Sequence, residues 1–483
     1  MTNDEAQTWD FFRTKTSHEI RGCFPSNLWE RLVLQIAHEE PSIRHAAIAV
    51  GSMHRMYKER EISTNLTTVK DPYEVFSLRQ YVKAIGSLRT RLKNTGDART
   101  REVSLITCLL FICLEMLRGQ RVEALTHLQT GLRILLDSAS RAGDEDPDSR
   151  QLNLRHHPEA LIHNLTTVFV RLDYESTMFG VHSPYLHVIP EQNESKASNL
   201  IPATFFDIAE ARQYLDSMSN AVFRFRAELI DKANILIPEI TRHPDVGSRI
   251  LIQYATARAL NLSVCPELLA RQRVLQSGLA VWLSALSAYR SRNETLFAHE
   301  DVRAMMLLEV QQFYLWFLMT NSQTTREMSC DSYNDDFERV VSLATQYLIV
   351  DPSAASTFEG SSPLFTLESG VLPSLYLVGM KCRKPSLRRR AISLIDHAAC
   401  QEGMWEGSQV ARFLESIASM EETASCSVEL LINSSQIPEW ARFSDIVLAL
   451  SEDPRYGRLI CARYRHESDG LLYCWEEKFR LKR

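Results

Sequence analysis

Six cations stand within ten residues, at Lys381, Arg383, Lys384, Arg388, Arg389 and Arg390, with no acid among them. Clustered positive charge attracts acidic partners, so this run is a candidate nuclear-import signal or anion-binding patch. The plainer reading is a solvated loop followed by a helix capped by Ser386, with the arginines near Asp396 and Glu402. Arginines at a helix start oppose its dipole, at about 0.3–1 kcal/mol when unpaired, which argues for a partner. A second candidate is Glu115 with Arg118, three residues apart on an otherwise apolar segment. If buried they must pair with each other or face a ligand in a cavity, because a lone buried charge is costly.

Other reactive side chains are present in less telling patterns. The ten cysteines include no Cys-x-x-Cys pair, so the tight spacing of a structural zinc site is missing. Cys108 and Cys113 fall in an apolar helix and read as packed thiols, not nucleophiles. His45, His54, His127 and the adjacent His156 and His157 lack the helical spacing with an acid that marks a zinc protease. No Gly-x-Ser-x-Gly elbow, phosphate-cradling loop or dinucleotide fingerprint occurs. The expectation is a non-enzyme with no cofactor, no metal site and no catalytic residue.

The chain has 483 residues, 45% of them hydrophobic and 24% charged, which is the balance of a globular protein with a large core. A net charge of −6 and a pI near 6.2 argue against binding nucleic acid through bulk electrostatics. The longest apolar stretch, 105–117, is too short to span a membrane and contains Glu115. Scattered cysteines without a secretion signal suit a reducing compartment, cytosol or nucleus.

Helical periodicity positions these residues. Asn27 and Glu30 suit a helix start, Pro41 a first turn, and Asp71-Pro72-Tyr73-Glu74 a cap followed by a first-turn proline and an acid. Helices are expected over about 99–118 and 121–140, with Gly119 ending the first and forcing an antiparallel hairpin. Further helices are read at 158–181, 206–237, 248–262, 266–291, 300–321, 333–350, 365–380, 386–402 and 408–422. Phe205, Phe206, Phe223 and Phe225 read as core. Residues 456–465 and 471–481 predict a β-hairpin turning at Asp469-Gly470. The expected fold is mainly α: an irregular multi-helix array with helical hairpins and a small C-terminal β-hairpin.

Several segments resemble, in order, the regulatory region of fungal binuclear zinc-cluster transcription factors. They are WDFFRTKTSHEIRGCFPSNLWERLVLQIAHEEPSIRHAAIAVGSMHRMY from Trp9 to Tyr57, then 105–135, FVRLDYESTMFG at 169–180 and CRKPSLRRRAISLIDHAACQEGMWEG at 382–407. The resemblance implies one helical fungal-specific transcription factor domain over 9–483. Its sub-regions are 9–140, 158–350 and 364–483, with linkers near 141–157, 182–204 and 351–363. In such factors this region follows a six-cysteine DNA-binding cluster, which this sequence is expected to lack, together with sequence-specific DNA contacts. The implied role is a nuclear transcriptional regulator that binds protein partners, zinc-cluster factors or transcription machinery among them, and a small-molecule effector. The alternative is a helical scaffold or interaction protein unrelated to transcription. No membrane partner is expected.

Overall fold

The computed structural model describes residues 1–62, 71–94, 98–140, 151–154, 160–190, 201–236, 246–260, 262, 265–293, 297–322, 324–348, 365–398, 401–425, 436–450, 456–464 and 472–480. The fold is mainly α, as expected. It divides into two compact units: residues 1–200 with 361–370 and 400–405, and residues 201–360 with 371–399 and 406–483.

In the first unit the chain runs through α1 (Asn3–Phe11), α2 (Ser17–Ile20), α3 (Val33–Glu39), α4 (Pro41–Ile62), α5 (Pro72–Asn94), α6 (Ala98–Leu117), α7 (Arg121–Ser140) and α8 (Leu161–Ser176). Helix α1 opens on a reciprocal cap: Thr2 Oγ1 accepts from Glu5 N, and Glu5 accepts from Thr2 N at 2.9 Å. The cap expected at Asn27 is displaced by one residue. Asn27 is already helical and makes no side-chain cap, while Ser26 Oγ accepts from Trp29 N at 3.5 Å. Asp71 does cap α5, accepting from Tyr73 N at 2.9 Å. The small face of α4, with Ala46, Ala47, Ala49, Val50 and Met53, is buried.

Helix α6 is enclosed on all sides from Val103 to Leu117, which explains its uninterrupted apolar run. It ends at Gly119, whose φ of 71° lies in the left-handed region. There Gly119 N donates to Met116 O and Gln120 N to Glu115 O at 2.8 Å, satisfying carbonyls the helix leaves open. Two short parallel ladders complete the unit. Strand β1 (Gln151–Leu154) pairs with β2 (His187–Pro190), and β3 (Phe365–Thr366) with β4 (Gln401–Glu402), beside β5 (Trp405–Glu406). Strands β1 and β2 lie in stretches read as linker, β3 and β4 in stretches read as helix, and β5 between two expected helices. Of the expected linkers, 141–150, 155–159, 191–200 and 351–363 lie outside the described residues.

The second unit holds α9 (Ile208–Leu236), α10 (Val246–Ala259), α11 (Pro266–Arg292), α12 (His299–Thr320), α13 (Asn334–Leu348), α14 (Leu372–Lys381), α15 (Pro385–Ala398) and α16 (Gly407–Ala424). Trp282 on α11 is fully buried, and its indole N–H donates to Ala211 O at 2.8 Å, so the polar edge of the ring is satisfied. Phe205, Phe223 and Phe225 are buried, but Phe206 is 81% exposed. Phe206 N donates to the Glu210 carboxylate at the start of α9, so this residue serves the helix entry and its ring stays outside.

The C-terminal sheet has three antiparallel strands, β6 (Asp445–Leu450), β7 (Tyr456–Tyr464) and β8 (Leu472–Arg480), in the order β6-β7-β8. The expected hairpin is β7 and β8, with Ile460 opposite Glu476. Its turn at Asp469-Gly470 lies outside the described residues. Among the described residues no helix is long and apolar enough to cross a membrane.

Candidate functional site

The basic run from Lys381 to Arg390 does not form one surface patch, because it enters the interior of the second unit. Arg383 and Arg388 are 0% and 1% exposed, Lys381 is largely covered, and Lys384, Arg389 and Arg390 face solvent. The chain leaves α14 in extended conformation at Cys382 and re-enters a helix at Pro385, which turns Arg383 inward and sets Arg388 on the inner face of α15. Neither Asp396 nor Glu402 is the partner of these cations.

Glu327 and Glu421 are the two anionic hubs. Glu421 accepts Arg383 Nη2 at 2.8 Å, Arg388 Nη1 at 2.7 Å and the amide of Phe443 at 2.7 Å. Glu327 accepts Arg258 Nη2 at 2.7 Å, Lys381 Nζ at 2.9 Å and Arg383 Nη1 at 3.2 Å. Burial alone would raise the Glu327 carboxyl, but Lys381, Arg258 and Arg383 overcome it and hold it at about 2. Glu421 is likewise kept below the ordinary carboxylate range, Arg383 and Arg388 outweighing burial.

The same charges grip the segment leading into β6. Lys381 Nζ donates to Ser444 O at 2.7 Å, Arg258 Nη1 to Ser444 O at 3.1 Å and to Asp445 at 3.0 Å, and Arg383 Nη2 to Phe443 O at 3.0 Å. In return Arg442 makes a two-pronged pair with Asp331, both contacts 2.8 Å, and Glu439 accepts the amides of Glu327 and Met328. Residues 437–445 are thus held by ionised groups that are buried or largely covered. The outer members of the basic run have surface partners: Arg389 pairs with Glu422 at 2.8 Å and Arg390 with Glu338 at 2.5 Å.

Beside this network lies a cavity of about 110 Å³. Its lining includes the apolar side chains Leu229, Ile230, Ala257, Phe317 and Leu377 and the charged side chains Arg226, Arg258, Lys381 and Asp445. Sequence reasoning missed it, along with both acidic hubs. Nothing in the sequence near Arg258 or Glu327 singles them out, and the one signal was the surplus of cations at 381–390.

The first unit places the remaining candidates. Glu115 is buried and pairs with Arg118 at 2.7 Å. Burial pushes the Glu115 carboxyl up, opposed by Arg118 and Tyr81. His45 meets Gln80 at 2.7 Å, His127 meets the Tyr81 hydroxyl at 2.9 Å, and His54, fully buried, lies between Thr16 and Glu19. Burial drives the Cys108 thiol up to about 12, far from a nucleophile's range. Among the described residues no group of three or more His, Cys, Asp or Glu side chains is placed to hold a metal ion. His156 and His157 lie outside the described residues.

Comparison with known proteins finds a family model that matches part of the chain. Residues 10–173 match the fungal specific transcription factor domain. Two relatives are transcription regulators. The aspercryptin biosynthesis cluster-specific transcription regulator atnN of Emericella nidulans is 22% identical over 497 aligned positions, covering 88% of this chain and 74% of the relative. The transcription regulator lscL of Purpureocillium lilacinum is 26% identical over 152 positions, covering 31% of this chain and 35% of the relative. No solved structure matches.

Proposed function

We propose that this protein is a nuclear transcription regulator of the fungal zinc-cluster family that works through its helical regulatory body, docking protein partners and answering a small effector. Among these 483 residues no cysteine spacing suits a zinc-held DNA-binding cluster. The observation that carries the reading is the family match over 10–173, joined to a relative named as a transcription regulator that aligns along 88% of the chain. Scattered cysteines and a net charge of −6 support regulation through partners over direct promoter binding. That relative is named for one biosynthetic gene cluster, and control of a linked gene set is the matching proposal here. Nuclear import and anion contacts fall to the exposed cations Lys384, Arg389 and Arg390. The reading assigns no catalysis.

Transcript profiling of a deletion strain tests it. Coordinated change in a defined gene set is expected, with restoration by the intact gene. An unaltered transcriptome under conditions where the protein is made would defeat the proposal.

A further inference from the structure

The charged and apolar side chains lining the cavity suggest what it would take. Three cations and one carboxylate line it, so an entering anion meets net attraction. Arg226 makes no ion pair among the described residues; its guanidinium carbon lies 6.0 Å from the Phe223 ring centroid. That cation is uncommitted, whereas Arg258 and Lys381 are shared with Glu327 and with the Ser444 carbonyl. At about 110 Å³ the space is smaller than an engineered cavity of about 150 Å³ that admits benzene, so a short branched chain fits it better than a six-membered ring.

We propose that this cavity binds a small molecule with an apolar body and one carboxylate, and that occupancy loosens the hold on residues 443–446. The inference deepens the effector part of the function proposed above and rests on that reading for its biological purpose alone. The apolar body sits against Leu229, Ile230, Phe317 and Leu377. The carboxylate takes Arg226 and competes for Lys381 and Arg258. An ionised oxygen is a stronger acceptor than a peptide carbonyl, so both donors turn partly from Ser444 O towards the ligand. Glu421 still holds the Phe443 amide, and Arg442 still holds Asp331, so the segment loosens locally and stays attached. The coupling is reciprocal: whatever pulls this segment away raises affinity for the ligand.

The test uses the full chain with isobutyrate and benzoate, each against its uncharged amide, in calorimetric titration and in hydrogen exchange read by mass spectrometry. At least one acid is expected to bind saturably, with its amide at least tenfold weaker. Exchange should rise in peptides covering 443–446. Arg226→Met leaves the buried ion pairs untouched, should keep the melting temperature, and should weaken binding at least tenfold. No saturable binding by either acid, equal binding by the amides, or binding unaffected in a folded Arg226→Met protein would each overturn the site. Binding with unchanged exchange at 443–446 would overturn the coupling. None of these outcomes bears on the transcript profile of the deletion strain, so the two readings fail separately.

Discussion

At the scale of single residues, Glu421 is the most consequential side chain described. It is fully enclosed and compensates two buried guanidinium groups, Arg383 and Arg388. Removing one partner of a buried pair strands the other, so Glu421→Gln is expected to cost about 3–5 kcal/mol, read as a lowered urea midpoint. Arg389→Gln, which breaks an exposed pair with Glu422, should cost no more than about 1 kcal/mol in the same assay.

Two carboxyls should give opposite pH signatures. Glu175 in the first unit is pushed up to about 8, chiefly by burial and then by the neighbouring Glu368. Between pH 4.5 and about 8 the folded state keeps a proton that the unfolded chain has lost, so this group's contribution to stability falls as pH rises through that window. Glu175→Gln should therefore match the wild type below pH 4.5 and exceed it above about pH 8. Glu327 is the reverse case, held at about 2, so its contribution is full above pH 4.5 and disappears as pH falls towards 2. The penalty of Glu327→Gln should shrink over the same acid range. Thermal melts of each pair across pH check both signs; a parallel trend for the two variants would show the assignment to be wrong.

At the scale of elements, helix packing depends on where a side chain is missing. Gly131 on α7 lies against the Phe169 ring of α8, and a Cβ there would collide with the ring. Phe169 is fully buried and has little room to yield, so Gly131→Ala should destabilise by about 1–3 kcal/mol. Gly86 on α5 has open space around it. There the same substitution lowers the entropy of the unfolded chain without a clash and should stabilise by about 0.4–1 kcal/mol. Chemical denaturation of the two variants measures both, and equal signs would contradict the packing described.

The whole molecule carries excess negative charge, and its buried cations are consumed by internal acids. The purified chain is therefore expected to give no sequence-specific gel shift at physiological salt. A shift resistant to competitor DNA would show that a surface reads bases despite the overall charge. Exchanging Lys384, Arg389 and Arg390 together for glutamine should lower nuclear accumulation of a tagged protein while its melting temperature changes little. Unaltered accumulation would move the import function elsewhere in the chain.

The sequence by itself determined the mainly helical class, the positions of most helices, the Gly119 turn and the β7–β8 pairing. Each of these depends on neighbours a few residues apart: an apolar period, a first-turn proline, a glycine tolerant of positive φ. It also carried the family resemblance, most plainly between Trp9 and Tyr57. It did not show that β3 and β4 would be extended, since two-residue strands are made by distant partners: Leu367 N reaches Ile20 O at 3.2 Å. Nor did it show which charges of the basic run are interior. Arg383 and Glu421 are 38 residues apart in the chain, and Arg258 lies 187 from Asp445, so their meeting is a property of packing alone. The cavity was equally hidden, because an empty space belongs to no residue and exists only once four helices and the approach to β6 have closed around it.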